Sequence, residues 1–144
     1  DVPTGSMENT IMPGDRLIGN RLAYLREDPQ RGDVIIFHYP DDEEELYVKR
    51  IIGLPGEEVR IEGGKIYIDG SDTPLEESYL KEEWTVETGP FLFEVPEDCY
   101  LVLGDNRNDS WDARYWVNTY VAREKILGKG ELIYWPLSDF GKIE

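Results

Sequence analysis

Cysteines and long apolar runs are scarce in this sequence. Its single cysteine, Cys99, cannot form an internal disulfide, so no disulfide framework holds the fold together. No apolar run approaches the roughly 18 residues that a transmembrane helix needs, so residues 1–144 are not predicted to span a membrane. The chain begins at Asp1 rather than at a methionine. We therefore expect a fragment from which an N-terminal membrane anchor is absent.

Basic residues are also few. Lysine and arginine total 15 against 31 aspartates and glutamates, which gives a formal net charge of −16. Nucleic-acid binding depends on neutralising phosphates with lysine and arginine, so nucleic acid is excluded as an expected partner. Such acidity predicts a soluble, self-repelling surface.

The sequence is rich in aromatic residues and in turn residues. Nine tyrosines, four tryptophans and four phenylalanines lie in short apolar runs that 14 glycines and 9 prolines separate. This pattern predicts a single domain over 1–144 that is mainly β, with folded antiparallel β-sheets forming a barrel or sandwich and little helix. The predicted strands cover 34–39, 46–52, a hairpin at 57–70, 100–105 and 126–136; residues 41–45 are expected to be an exposed loop.

Two residues have the chemistry of a hydrolase, Ser6 and Lys49. A serine hydroxyl needs a base to become a nucleophile, and a lysine is that base only where burial keeps it neutral. To act as a base near neutral pH, such a lysine needs a pKa about 3 units below its usual value, and desolvation must supply the corresponding ~4 kcal/mol. Lys49 lies mid-strand, on the same face as Tyr47 and Ile51, where a lysine is more often exposed. The negative charges at 41–45 would raise the pKa of Lys49, but solvent and salt screen them, so we expect the effect of burial to be larger.

Five blocks of sequence carry a family resemblance. They are PTGSMENTI (3–11), GDRLIGNRLAY (14–24), RGDVIIF (31–37), YVKRIIGLPGE (47–57) and GDNRNDSWDARYW (104–116). In this order they resemble the type I signal peptidases, membrane-anchored serine/lysine proteases, in the compact form typical of Gram-positive bacteria. The resemblance implies an endopeptidase that removes signal peptides from secretory preproteins after small-x-small sequences. It also implies association with membrane lipid, with the catalytic domain on the extracytoplasmic face of the cell membrane.

The resemblance assigns roles to individual residues. It makes Ser6 the nucleophile and Lys49 the general base, and it places the Thr4 hydroxyl and the Ser6 N–H in the oxyanion hole. Ser110 would hydrogen-bond the lysine nitrogen. Ionic support for the site would come from Asp105, Asp112, Arg114 and Arg50, with Arg50 paired to Asp105. The substrate-binding residues that it implies are Val2, Met7, Ile11, Leu17, Ile36, Tyr47 and Val48.

The chain departs from the family pattern at two positions near these blocks. The usual proline three residues after the nucleophile is Asn9, and the usual glycine after RYW is Val117. Neither change removes a catalytic group. No cofactor or metal is implied, and the oligomeric state is left open.

Other functions compete with this one. His38 is the only histidine and lies outside every block, so a Ser/His/Asp triad is disfavoured. DNRND (105–109) departs from a calcium loop at its third, sixth and twelfth positions. RGD (31–33) opens a predicted strand rather than an adhesion loop. A self-cleaving repressor-type Ser/Lys protease domain and a catalytically inactive β-domain that binds exported chains remain as alternatives.

Overall fold

The structure, a computed structural model, describes residues 5–8 and 10–143. Ten strands and three 3₁₀ turns are found in this part of the chain. The strands are β1 (Arg16–Asn20), β2 (Val34–Tyr39), β3 (Asp42–Gly53), β4 (Glu58–Glu62), β5 (Lys65–Ile68), β6 (Phe91–Glu94), β7 (Cys99–Leu103), β8 (Val121–Ala122), β9 (Ile126–Trp135) and β10 (Gly141–Lys142). The 3₁₀ turns are Arg107–Asp109, Arg123–Lys125 and Leu137–Asp139.

The strands form two antiparallel sheets. The larger has the order β1-β9-β2-β3-β7-β8, with β10 added on β9, and the smaller has the order β5-β4-β6. All pairings among the described strands are antiparallel. The central strand β3 is long enough to pair with β2 along most of its length and with β7 only at its C-terminal end. Among the described strands, the stretch 46–49 of β3 therefore has a neighbour on one side only.

Two apolar clusters form the core. The larger is built from the inner faces of β2, β3 and β7 together with the small sheet, and it includes Phe37, Ile51, Leu101 and Trp116. The smaller lies under the N-terminal loop and consists of Met7, Ile11, Val34, Ile133 and Ile143. Burying apolar side chains is the main favourable contribution to folding, so these clusters fix where the N-terminal loop meets the sheet.

The mainly β, antiparallel architecture predicted from the aromatic and turn residues is confirmed. The hairpin around Gly63 and Gly64 is confirmed as well, since β4 and β5 flank this turn. The expected loop at 41–45 is wrong in part, because β3 begins at Asp42 and carries its exposed acidic residues as a strand. This run of acidic residues has no apolar alternation that would predict a strand. Its pairing with β2 makes it one. The single-domain assignment stays a prediction.

Among residues 5–8 and 10–143, no helix is long and apolar enough to cross a bilayer.

Candidate active site

Ser6 and Lys49 meet in a buried contact. Lys49 Nζ lies 2.5 Å from Ser6 Oγ, within hydrogen-bond distance. Lys49 exposes 4% of its surface and Ser6 exposes 7%. The sequence pattern alone favoured an exposed Lys49, and the observed burial agrees instead with what the family resemblance implied. A hydroxyl and an amine in this geometry are a nucleophile and base pair of the kind that acyl transfer requires.

Burial changes the charge state of Lys49. Desolvation lowers its pKa from 10.5 to about 8, while the negative charges of Asp112 and Asp105 oppose the shift and the positive charge of Arg114 adds to it. The opposing carboxylates are thus those of the 104–116 loop, not the acidic run at 41–45 that the sequence had suggested. A lysine with this pKa is neutral in a useful fraction of molecules near neutral pH.

The loop that carries Ser6 is held by two buried apolar anchors. Met7 and Ile11 are buried in the smaller core cluster. Between them the backbone makes tight turns, with the N–H groups of Thr10 and Ile11 both donating to the Met7 carbonyl. Ser6 therefore sits on a short loop whose base is fixed in the core, which is the rigid support that a nucleophile needs.

Arg50, next to Lys49 in β3, ties this strand to the loop after β7. Its guanidinium donates to both carboxylate oxygens of Asp105, through Nε at 2.9 Å and a terminal nitrogen at 2.8 Å, and both side chains are buried. Asp105 also accepts a hydrogen bond of 2.5 Å from the Thr10 hydroxyl. The predicted Arg50–Asp105 pair is thus present, and it links β3, the nucleophile loop and the 104–116 loop. Its bidentate geometry fixes orientation as well as distance.

Asp112 and Arg114 form a second buried ion pair. Arg114 Nε lies 2.8 Å from one Asp112 oxygen, and an Arg114 terminal nitrogen donates to the other oxygen at 2.8 Å. The Gly104 N–H also donates to Asp112. The pair therefore closes the 104–116 loop on itself and brings charge close enough to Lys49 to influence its pKa.

Ser110 is placed beside the site, but it does not make the bond expected of it. Its Oγ is buried and has no hydrogen-bond partner within the described part of the chain. The absence of a side chain at Gly104 makes room for Ser110, because a Cβ added at Gly104 would overlap Ser110 Oγ and lie 2.6 Å from the Ser6 carbonyl oxygen. The expected hydrogen bond from Ser110 to the Lys49 nitrogen is therefore not formed, while Lys49 Nζ bonds to Ser6 Oγ.

The proposed substrate residues divide by burial. Met7, Ile11, Leu17 and Val48 pack together around the smaller cluster. Met7 and Ile11 are fully buried in this cluster, and their role as pocket walls stays a prediction. Ile36 and Tyr47 are half-buried on the neighbouring strands β2 and β3. The Tyr47 ring centroid lies 5.4 Å from Lys49 Nζ, as strand alternation had placed it.

Three of the predicted or noted positions, Val2, Thr4 and Asn9, lie outside the described residues. The other departure from the family pattern, Val117, is 89% exposed, and its N–H donates to the carboxylate of Asp41. This position is therefore at the surface, where a side chain larger than glycine meets no packing constraint.

Sequence reasoning missed a third group of residues that surrounds the site. Glu77, Tyr79 and Trp84 come from the irregular stretch between β5 and β6, to which no structure had been assigned. Glu77 forms an ion pair with Arg107, and both aromatic rings lie against arginines of the site. No periodicity marks this stretch, so only tertiary packing identifies it.

His38 takes no part in this arrangement. Its Nδ1 lies 2.8 Å from the backbone carbonyl oxygen of Glu43, within the β2–β3 hairpin. In residues 5–8 and 10–143, no cluster of three or more histidine, cysteine or carboxylate side chains is arranged to hold a metal ion.

Known proteins are similar to this chain in sequence and in fold. A family model described as signal peptidase, peptidase S26, matches residues 1–135. The chain is 42% identical to the probable signal peptidase I-2 of Synechocystis sp., in a match that covers 97% of this chain and 64% of that protein. It is 40% identical to signal peptidase I of Leptolyngbya laminosa, with 99% of this chain and 70% of that protein covered.

A solved structure agrees with these relatives. A crystal structure of a signal peptidase I from Enterococcus faecalis is 35% identical in sequence and superposes with a TM-score of 0.60. The match covers 72% of this chain and 97% of that one. Sequence and fold therefore point to the same family.

Proposed function

This chain belongs to the signal peptidase, peptidase S26, family, and from that premise we propose that it is a serine endopeptidase that removes signal peptides from secretory preproteins. It spans about two thirds of the length of these curated relatives. The observation that carries the proposal is the 2.5 Å approach of Lys49 Nζ to Ser6 Oγ in a buried setting. Ser6 is the nucleophile and Lys49 the general base.

The acylation step follows from this geometry. The neutral Lys49 amine takes the Ser6 proton as Oγ attacks the carbonyl carbon of the scissile peptide bond, and a tetrahedral oxyanion forms. The Ser6 N–H and the Thr4 hydroxyl are the proposed oxyanion donors, by resemblance to the family. Lys49, now an ammonium, gives its proton to the leaving amine as the C–N bond breaks. The products of this step are the free mature chain and an acyl-enzyme on Ser6.

Deacylation uses the same base. Lys49 is neutral again after the amine has left, so it can take a proton from a water that attacks the ester carbonyl. The second tetrahedral intermediate collapses, Ser6 recovers its proton from Lys49, and the signal peptide leaves as a carboxylate. Lys49 thus acts as base and acid in turn, which favours a pKa near the working pH, and about 8 meets this need.

The substrate is proposed to bind as an extended strand. Residues 46–49 of β3 lie beyond the part of the strand that pairs with β7, and no other described strand pairs with them on that side, where an extended peptide could add. A chain added there would pass Lys49 and Ser6. Ile36, Leu17, Tyr47 and Val48 would contact small side chains at the first and third positions before the cut, with Val2 leading into the nucleophile.

Membrane association belongs to the same proposal. The family acts on signal peptides of preproteins and is in general membrane-associated. We place the catalytic domain on the extracytoplasmic face of the cell membrane, next to membrane lipid.

Cleavage of a purified preprotein tests the proposal. We would compare the wild type with Ser6→Ala, Lys49→Met and His38→Ala, and identify the new N-terminus by mass spectrometry. Loss of either the nucleophile or the base should reduce kcat by roughly 10³-fold or more, since each residue needs the other to act. The His38→Ala variant should cut normally, because the His38 ring bonds to the Glu43 carbonyl of its own hairpin and not to Ser6 or Lys49.

The outcomes separate the alternatives. Cleavage that survives in either Ser6→Ala or Lys49→Met would exclude the dyad. Cleavage of the chain's own peptide bonds, with none of the preprotein, would favour a self-cleaving repressor-type domain. Binding of the preprotein without cleavage by the wild type would favour an inactive β-domain.

A further inference from the structure

The irregular stretch between β5 and β6 contains a segment that contacts both loops of the site. We call residues 75–86 the clamp segment. On one side it meets the loop 104–116, which carries Asp105 and Ser110, and on the other it meets the nucleophile loop through Lys81, whose Nζ lies 2.5 Å from Glu8. Glu8 is two residues from Ser6. A single segment therefore touches both the loop that carries Ser6 and the 104–116 loop that packs against it.

The strongest of these contacts is a buried ion pair. Glu77 Oε1 and Oε2 accept hydrogen bonds of 3.1 and 2.6 Å from the two terminal nitrogens of Arg107. The Arg107 side chain is 1% exposed and the Glu77 side chain is 6% exposed. A charge this deeply buried requires its partner, so the clamp segment cannot leave without stranding Arg107. The Tyr79 hydroxyl donates to the same Glu77 carboxylate at 2.8 Å and holds it in place.

Aromatic rings of the clamp segment add contacts to three guanidinium groups. The centroid of the Tyr79 ring lies 4.0 Å from the guanidinium carbon of Arg50. The centroid of the Trp84 ring lies 4.9 Å from the guanidinium carbon of Arg107 and 5.1 Å from the guanidinium carbon of Arg114. Cation–π contacts of this kind are stronger when the cation is desolvated, as these three are. The clamp segment thus covers the ionic groups of the site from one side.

Backbone contacts complete the attachment at the end of the clamp segment. The N–H groups of Thr85 and Val86 both donate to Asn108 Oδ1, at 2.8 and 2.9 Å. Asn108 Nδ2 donates in return to the Glu83 carbonyl at 2.8 Å. Asn108 lies in the 3₁₀ turn of residues 107–109, so this turn is held by its side chains at both Arg107 and Asn108.

A short chain of hydrogen bonds runs from this turn to the nucleophile. Arg107 Nε donates to the Gly104 carbonyl at 2.8 Å. Next along the loop, the Asn106 N–H donates to the Ser6 carbonyl at 2.8 Å and its side chain donates to the Gly5 carbonyl at 2.9 Å. Glu77 is therefore connected through Arg107 and the 104–107 backbone to the backbone of Ser6.

We propose that Glu77 is a positioning residue for the peptidase reaction: by pairing with Arg107 it holds the 104–107 backbone, and through Asn106 the backbone of Ser6, at the distance from Lys49 that proton transfer requires. This role rests on the proposed function for its catalytic consequence. Glu77 touches neither substrate nor a reacting atom. Its effect is on kcat, since a misplaced nucleophile lowers the rate of the chemical step while the substrate-binding strand β3 is untouched.

The test compares Glu77→Gln with Glu76→Gln, a matched control. Both changes remove one negative charge, and Glu76 is exposed and makes no hydrogen bond or ion pair with the described residues. In a preprotein cleavage assay we expect Glu77→Gln to lower kcat roughly tenfold or more with KM within about twofold of wild type. Glu76→Gln should match wild type in both. Glu77→Asp, which keeps the charge, should recover part of the lost kcat.

Amide hydrogen exchange supplies a readout that needs no catalysis. Under conditions where circular dichroism shows each variant folded, Glu77→Gln should speed exchange at the Asn106 amide and across residues 5–8 relative to Glu76→Gln. The Asn106 amide is the donor to the Ser6 carbonyl, so its protection reports that bond. Unchanged exchange at these amides, or a rise in KM without a fall in kcat, would overturn the positioning role.

The same experiment keeps the two proposals apart. If wild-type protein fails to cut the preprotein while Glu77→Gln still loosens residues 5–8, the proposed function fails and the structural connection from Glu77 to Ser6 stands. If wild type cuts and Glu77→Gln cuts equally well, the positioning role fails and the proposed function stands. Should Glu77→Gln not fold, Glu77→Asp serves as the test variant, because it keeps the charge and shortens the side chain. We then expect a partial loss of kcat together with faster exchange at the Asn106 amide; a loss of kcat with unchanged exchange, or no change in either, would overturn the positioning role.

Discussion

The backbone N–H of Asn106 donates to the carbonyl oxygen of Ser6 over 2.8 Å. This bond makes the loop after β7 a direct support of the nucleophile, from a position 100 residues further along the chain. Arg50 and Asp105 reinforce the same junction through their buried ion pair. The position of Ser6 therefore depends on how closely its own loop and the loop after β7 approach each other. Small changes at this contact should change kcat.

Gly104→Ala tests that closeness. A Cβ at Gly104 would overlap Ser110 Oγ and lie 2.6 Å from the Ser6 carbonyl oxygen, so one of the loops must move. We expect kcat for preprotein cleavage to fall by roughly 100-fold, the scale of a displacement near 1 Å at a reacting group. Gly141→Ala is the control, since a Cβ there meets nothing within 4 Å, and it should keep wild-type kcat. Equal activity of the two variants would contradict the close contact.

The rate should rise with pH through the titration of Lys49. Neutral amine is the active form, and burial lowers the pKa to about 8, so kcat should climb across that value and level off about a unit above it. The measurement is kcat against pH from 6 to 10. Lys65→Met, which removes an exposed lysine from β5, should leave the midpoint unchanged. A midpoint near 10.5 would mean that Lys49 is not desolvated in solution.

Asp112→Asn should move that midpoint towards acid. The Asp112 carboxylate raises the pKa of Lys49, so its removal leaves desolvation and Arg114 less opposed. Its loss also strands Arg114, and breaking a buried pair costs about 3–5 kcal/mol of unfolding free energy, so the profile is measured at a temperature where the variant remains folded. A midpoint that stays fixed or moves to higher pH would show that the Asp112 carboxylate does not raise the pKa of Lys49.

Replacing the base should stabilise the protein near neutral pH. The pKa of Lys49 falls from 10.5 to about 8 on folding, so the unfolded state binds more protons between these values and wild-type stability rises with pH in that window. Below pH 8 the full penalty of about 3 kcal/mol applies. Lys49→Met fills similar space without charge, and urea unfolding at pH 7 should show a gain of up to this size that shrinks by pH 10. A loss of stability at pH 7 would contradict the depressed pKa.

Ser110→Ala should not destabilise the fold. Ser110 Oγ is buried without a hydrogen-bond partner within the described residues, so removing it breaks no bond and relieves a desolvated polar atom. We expect the unfolding free energy to stay level or to rise by about 1 kcal/mol in urea titrations. A drop of more than about 1 kcal/mol would show that the hydroxyl has a partner in solution, with Lys49 the nearest candidate by family resemblance.

Sequence reasoning reached the main features of fold and site, because these have local signals. Short aromatic and β-branched runs between turn residues predicted an antiparallel β protein, and the hairpin at Gly63 and Gly64 followed from turn chemistry alone. The acidic run in β3 had no apolar pattern, and it is a strand only because β2 pairs with it. Lys49 is a similar case, since its burial could not be read from alternation.

By itself, the sequence determined the class of fold, the presence of a serine and a lysine with the chemistry of a dyad, and the family. Local propensities and residue types act along the chain and need no distant partner, so they can be read directly. Only the tertiary structure decided that Lys49 is desolvated, that Ser110 Oγ has no partner among residues 5–8 and 10–143, and that the clamp segment covers the site through Glu77 and Arg107. Burial and pairing are set by residues far apart in the chain, and Lys49 becomes a base because the fold removes water from around it.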